Sequence, residues 1–86
     1  SHTLCQTLGA PLATRELQCL TLSLCGFTSK QIASLLTISH RTVEKHISNA
    51  YLKVNVTSKQ QCLELLHHKQ AILLLWDLGK TLIESL

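Results

Sequence analysis

Thr28-Ser-Lys-Gln-Ile-Ala-Ser-Leu-Leu-Thr-Ile-Ser-His-Arg-Thr-Val-Glu-Lys-His-Ile-Ser-Asn-Ala-Tyr-Leu-Lys-Val-Asn55 contains two helix starts in quick succession. Thr28 followed by Gln31 has the capping-box form, in which a hydroxyl and an amide three residues on satisfy each other's backbone donors. Behind it Ile32, Ala33 and Leu36 make a short apolar face, and Thr37-Ile38-Ser39 breaks the pattern, so this helix has about two turns. Ser39 is a good N-cap for the next helix. Val43, Ile47, Ala50 and Val54 follow at spacings of four, three and four, which is one helix face. Two helices joined by a three- or four-residue turn form a helix-turn-helix candidate.

The same signals extend outward. Upstream, beyond Pro11, Thr14 reads as an N-cap with Glu16 in the first turn. Leu17, Leu20 and Leu24 carry the apolar stripe, and Gly26 ends the helix in a left-handed conformation, giving a span of about Thr14 to Cys25. Downstream, Asn55 tolerates positive φ and closes the helix that begins at Ser39. Thr57 to Gln60 offers another capping box, opening a fourth helix through Leu63 and Leu66. From Gln70 to Leu86, Ile72, Leu75, Trp76, Leu82 and Ile83 recur at helical spacing, with Leu73, Leu74 and Leu78 forming a second apolar side. This is a fifth helix, either separate or a bent continuation of the fourth.

Composition agrees with an all-α domain. In 86 residues, 45% are hydrophobic and 15% charged, too apolar for a disordered segment. Phe27, Tyr51 and Trp76 are the only aromatic residues, so the core is aliphatic, and one Pro and three Gly are too few for a sandwich or barrel. The longest apolar run, Ala71–Trp76, is far short of the roughly 20 residues that span a bilayer. Cys5, Cys19, Cys25 and Cys62 form no CxxC pair, and the five histidines complete no zinc-ligand spacing, so no metal or cofactor is expected. Reduced thiols in a cytoplasmic protein are the plain reading. Neither a nucleophile elbow nor a glycine-rich phosphate loop is present, which argues against an enzyme.

Charge is concentrated in the central helices. Residues 28–59 hold Lys30, Arg41, Lys45, Lys53 and Lys59 against Glu44 alone, a net +4, whereas the chain as a whole is +3. A local basic excess of this kind suits a polyanion. With Val43, Ile47, Ala50 and Val54 turned inward, Arg41, Glu44, Lys45, Ser48 and Leu52 point the other way. In a helix-turn-helix the N-terminal half of the second helix enters the major groove. There Lys45 can donate to guanine, Ser48 can contact either base type, and Glu44 can accept from cytosine N4 or hold Arg41 or Lys45 in place. Ser39, Thr42 and the free N–H groups at the helix start suit phosphate oxygens.

Gly26-x-Thr28-x-Lys30-x-Ile32-Ala33-x-x-Leu36-x-Ile38-Ser39-x-Arg41-Thr42-Val43-x-x-His46 closely resembles the LuxR/GerE-type helix-turn-helix of bacterial transcription regulators. Leu12-x-Thr14-Arg15-Glu16-Leu17 and Tyr51-x-Lys53-Val54-x-Val56 extend the match, which covers roughly Leu12 to Leu66. The resemblance implies a four-helix DNA-binding domain with residues 39–54 as its recognition helix. It implies base-facing roles for Glu44, Lys45 and Ser48. Thr28, Arg41, Thr42, His46 and Lys53 would approach phosphates or brace the recognition helix; Lys30 and Ser39 complete the candidate DNA contacts, and Arg41, Thr42 and Lys53 are expected to fix the register on phosphates. It also implies a homodimer on an inverted repeat of double-stranded DNA and a separate N-terminal sensor or receiver domain. Thr37 and Asn55 depart from the pattern, which has Gly at both; a β-branched residue at positive φ is strained. Lys59 stands for a common Arg, Ala50 for Ile, and the apolar tail from Gln70 exceeds the usual domain.

The expected organisation is therefore a helix-turn-helix domain over 12–69 and an apolar helix over 70–86 that packs or dimerises. Leu63, Leu66, Ile72, Leu75 and Trp76 are the candidate dimer or partner contacts. The alternative is a protein-interaction module that keeps the fold and binds a partner through its Leu-rich C-terminal helix. His67 and His68 are adjacent and read as solvated.

Overall fold

In the computed structural model, which describes residues 2–86, the described residues form six helices and no strand. They are α1 (His2–Leu8), α2 (Thr14–Leu24), α3 (Ser29–Leu36), α4 (His40–Val54), α5 (Lys59–His68) and α6 (Ile72–Ser85). The all-helical expectation and the helix-turn-helix formed by α3 and α4 are both found. No helix among the described residues is long and apolar enough to cross a membrane.

Two caps lie where the sequence puts them. Thr28 Oγ1 accepts from the Gln31 N–H at 3.1 Å while Gln31 Oε1 accepts from the Thr28 N–H at 2.9 Å, completing the box that starts α3. Ser39 Oγ accepts from the Thr42 N–H at 3.0 Å and starts α4. Two others move by one residue. The N-cap of α2 is Ala13 rather than Thr14, because Glu16 then sits at the third helical position and accepts from the Ala13 N–H at 2.9 Å. The N-cap of α5 is Ser58 rather than Thr57, with Gln61 rather than Gln60 reaching back to the Thr57 N–H.

Helices α2 to α5 end alike. After α2, Gly26 at φ 104° lets the Phe27 N–H reach Leu22 O and the Gly26 N–H reach Ser23 O, the double bond of a Schellman turn. The same chain reversal ends α3 at Thr37 (φ 57°), α4 at Asn55 (φ 61°) and α5 at Gln70 (φ 57°), none of them glycine. The turn at Gln70 makes α6 a separate helix. Gly79 lies inside α6 rather than ending it: a Cβ there would stand 2.5 Å from Cys25 Sγ, so the missing side chain is what lets α6 settle on the end of α2.

The core has two parts that share α2. Leu17, Leu20 and Leu24 join Leu4, Leu8, Ala50, Val54, Cys62, Leu66, Ala71 and Leu75 in one cluster. Cys19 and Leu22, on the adjoining face of α2, join Ile32, Leu36 and Val43 in the other. Helix α2 thus supports α4 on one side and α6 on the other. The N-terminal arm, for which the sequence offered no helix signal, is helical and buries Leu4 and Leu8 beside α5 and α6. Two of the expected partner contacts are corrected here. Leu66 and Leu75 are fully buried inside the chain's own core, so neither can meet a second molecule.

Candidate nucleic-acid interface

Helix α4 is pinned from behind. Val43, Ala50 and Val54 are buried and Ile47 packs beside them, which fixes the rotation of the helix. A 3.6-residue period then leaves Arg41, Glu44, Lys45, Ser48 and Leu52 on the outer face, and all five are exposed. Leu52, at 78% exposure, is the apolar end of this stripe. The short α3 lies against α4, with Lys30 exposed in its first turn.

The hydroxyls at the two helix starts are used as caps, and the direction of those bonds matters. Thr28 Oγ1 and Ser39 Oγ accept from backbone N–H groups. An accepting hydroxyl keeps its own O–H for another acceptor such as a phosphate oxygen. Thr28 retains that donor. Ser39 Oγ and Thr42 Oγ1 lie 2.7 Å apart, so one O–H of this pair is spent on the other and one is left.

Among the charged side chains, Glu44 stands 3.7 Å from His40 Nε2, one turn back, and pairs with neither Arg41 nor Lys45. Among the described residues neither of those cations has an ion-pair partner, nor has Lys30. Lys53 differs. Its Nζ lies 2.7 Å from Glu16 Oε1, the oxygen that also takes the Ala13 N–H, so its ammonium ties α4 to the start of α2. The hydrogen bond from Lys53 is the largest influence on Glu16, followed by burial, which opposes it, and then the Ala13 N–H; together they hold the carboxyl below its usual range, with the His46 ring adding a smaller charge effect. His46 is half-buried, whereas Arg41, Glu44, Lys45 and Ser48 are exposed. The sequence placed Glu16 in the first turn of its helix but gave it no partner. The signal that would have found one is a carboxylate and an ammonium on helix faces that pack together.

Cys19, Cys25 and Cys62 are poor candidates for chemistry. Burial pushes Cys62 up to about 11 and raises Cys19 and Cys25, the reverse of what a reactive cysteine needs.

Comparison with known proteins agrees with this geometry. A family model described as bacterial regulatory proteins, luxR family, matches residues 10–66, about two thirds of the chain. The HTH-type transcriptional regulators MalT of Vibrio campbellii and Vibrio parahaemolyticus are each 37% identical over 54 residues, 63% of this chain. MalT of Vibrio cholerae is 36% identical over 55 residues, 64% of this chain. In each case the chain spans only 6% of the relative's length. No solved structure matches. The matched segment runs from the residues just before α2 into α5 and includes the whole of α3 and α4. The chain belongs to the luxR family of bacterial regulatory proteins.

Proposed function

We propose that this chain is the DNA-binding part of a cytoplasmic transcription regulator and that it reads double-stranded DNA with α4 in the major groove. The observation that carries the reading is the exposed stripe Arg41, Glu44, Lys45 and Ser48 on a helix whose rotation is locked by its buried face. In this reading Lys45 and Ser48, with Glu44, contact base edges. Thr28, Lys30, Ser39, Arg41 and Thr42 fix the register on phosphates, while His46 and Lys53 brace α4 against α2. Residues 12–69 form the DNA-binding unit, and 70–86 serve its pairing. A homodimer on an inverted repeat follows from the symmetry of such operators, and a sensor or receiver domain elsewhere supplies the signal. The relatives named as transcriptional regulators support the same role.

Selection from a random duplex library at moderate salt tests this. Enrichment of an inverted repeat is expected. A single unpaired motif would keep base reading and remove the dimer. Failure to retain any duplex even at low salt would overturn the DNA reading in favour of protein interaction.

A further inference from the structure

Helix α6 buries one face and leaves another without a partner. Leu75 and Gly79 are buried against α2, yet Leu73 is 79% exposed, Trp76 51% and Ile83 42%. At 100° per residue, Leu73, Trp76, Lys80 and Ile83 fall within one narrow arc, a stripe along the outer side of the helix. Phe27 and Cys25 of the neighbouring turn join Trp76, Gly79 and Ile83 in lining a shallow groove beside that stripe. Scattered single apolar residues on a surface need no explanation, but a contiguous stripe with an aromatic at its centre marks an interaction face.

The order of residues in the stripe says what covers it. An isologous contact requires a surface that complements itself under a two-fold rotation. Placed antiparallel about the midpoint between Gly79 and Lys80, α6 of a second copy brings Ile83 of the second copy opposite Trp76, and the reverse, so the Trp76–Ile83 contact is made twice. Leu73 falls at the level of the other copy's Leu86, which is also exposed. The charges agree. Lys80 is displaced along the axis from the other copy's Asp77 by only two residues, about 3 Å. Asp77 and Lys80 are exposed, and neither has an ion-pair partner among the described residues. A parallel pairing would set Lys80 against Lys80 and lose both matches.

We propose that the exposed stripe of α6 is the face on which two copies of this chain pair, antiparallel, through Trp76 against Ile83 and Lys80 against Asp77. This rests on the homodimer proposed above and names its surface, which keeps Trp76 of the expected contacts and not the buried Leu66 and Leu75. The contact leaves the stripe of α4 untouched, because α4 is packed on α2 and α3 whereas α6 is packed on α1, α2 and α5.

Sedimentation equilibrium of the 86-residue chain without DNA tests the proposal independently of DNA binding. The wild-type chain is expected to show a concentration-dependent dimer. Lys80→Glu and Asp77→Lys each place like charges at both symmetry-related contacts, and each is expected to weaken association roughly tenfold or more. An equimolar mixture of the two variants sets the introduced glutamate of one copy against the introduced lysine of the other. It leaves the native Asp77–Lys80 contact on the other side, so the mixture is expected to regain the wild-type dimer. A charge effect confined within one helix has no such rescue. Circular dichroism on each variant checks that the fold is kept. A wild-type chain that stays monomeric would overturn both the α6 face and the pairing in free solution. Single variants that dimerise like the wild type, or a mixture without rescue, would overturn the α6 face alone.

Discussion

Lys45 stands on the outward stripe of α4 with no carboxylate bound to it among the described residues, one helical turn before Ser48. A lysine so placed can donate to guanine O6 or N7, so Lys45→Ala is expected to lose discrimination at one or two base pairs, about 1–3 kcal/mol for a good contact. Binding assays on an operator and its point variants measure this. An equal loss on every sequence would make Lys45 a phosphate contact. Arg41 and Lys53 separate two roles that their sequence does not distinguish. Arg41→Ala, removing an unpaired exposed cation, is expected to weaken binding to all duplexes alike and to lower the salt slope by about one. Lys53→Ala removes the ammonium that Glu16 holds at 2.7 Å, so its expected effect is on stability, about 1–3 kcal/mol, with the salt slope unchanged. A slope that falls with Lys53→Ala would return that residue to the phosphates. The outward direction of Arg41, Glu44, Lys45 and Ser48 was legible because their spacing against Val43, Ile47, Ala50 and Val54 is a local property of one helix. The engagement of Lys53 was not, because its partner lies on α2 and comes near only when the two helices pack.

At the scale of the helices, the ends explain what the sequence reveals and what it conceals. The starts of α3 and α4 were legible because, of Thr28 and Ser29, only Thr28 has an amide three residues on, and Ser39 stands between Ile38 and His40 with no neighbouring hydroxyl. Those of α2 and α5 shifted by one residue. Glu16 can serve a cap at position 13 without any side chain there, and the doubled Thr57-Ser58 and Gln60-Gln61 offer two registers. The break before α6 was hidden for a similar reason: Gln70 carries no turn signal, yet it takes positive φ because the Ala71 N–H closes onto Leu66 O at 2.8 Å. Thr37 is the costliest of these endings. A β-branched residue at φ 57° crowds its Cβ against the backbone, a penalty of about 1–2 kcal/mol that glycine escapes. Glycine gives part of this back through the greater freedom of its unfolded chain. Thr37→Gly is therefore expected to stabilise the domain by about 1 kcal/mol in urea denaturation. Asn55→Gly should gain less, since Asn already tolerates the left-handed region. No gain at Thr37 would mean that its side chain contributes in the turn what its backbone loses.

For the molecule as a whole, α2 is the shared wall of both halves of the core, and the Glu16–Lys53 pair crosses from it to α4. An all-helical fold was legible because the apolar residues of α2, α3, α4 and α5 recur at helical spacing between recognisable caps. The docking of α6 was not, because a helix apolar on two sides does not say which side goes in; the side of Leu75 and Gly79 is the one buried. The ion pair gives the molecule an acid limit. Lys53 and the Ala13 N–H stabilise the ionised Glu16, so its folded pKa lies below the ordinary value of 4.5. A carboxylate depressed in this way contributes stability that is fully present above its unfolded pKa. That contribution is lost as pH falls below about 4.5 and through the lower folded value. Glu16→Gln is expected to be less stable than the wild type at neutral pH, because it leaves the Lys53 ammonium without its partner. As the pH drops below about 4.5 its unfolding midpoint should fall less steeply, so that the two curves converge where the wild-type carboxyl is protonated. Thermal unfolding of both proteins from about pH 7 to about pH 3 measures this, and curves that stay parallel would move the acid sensitivity to a carboxylate other than the one that joins α2 to α4.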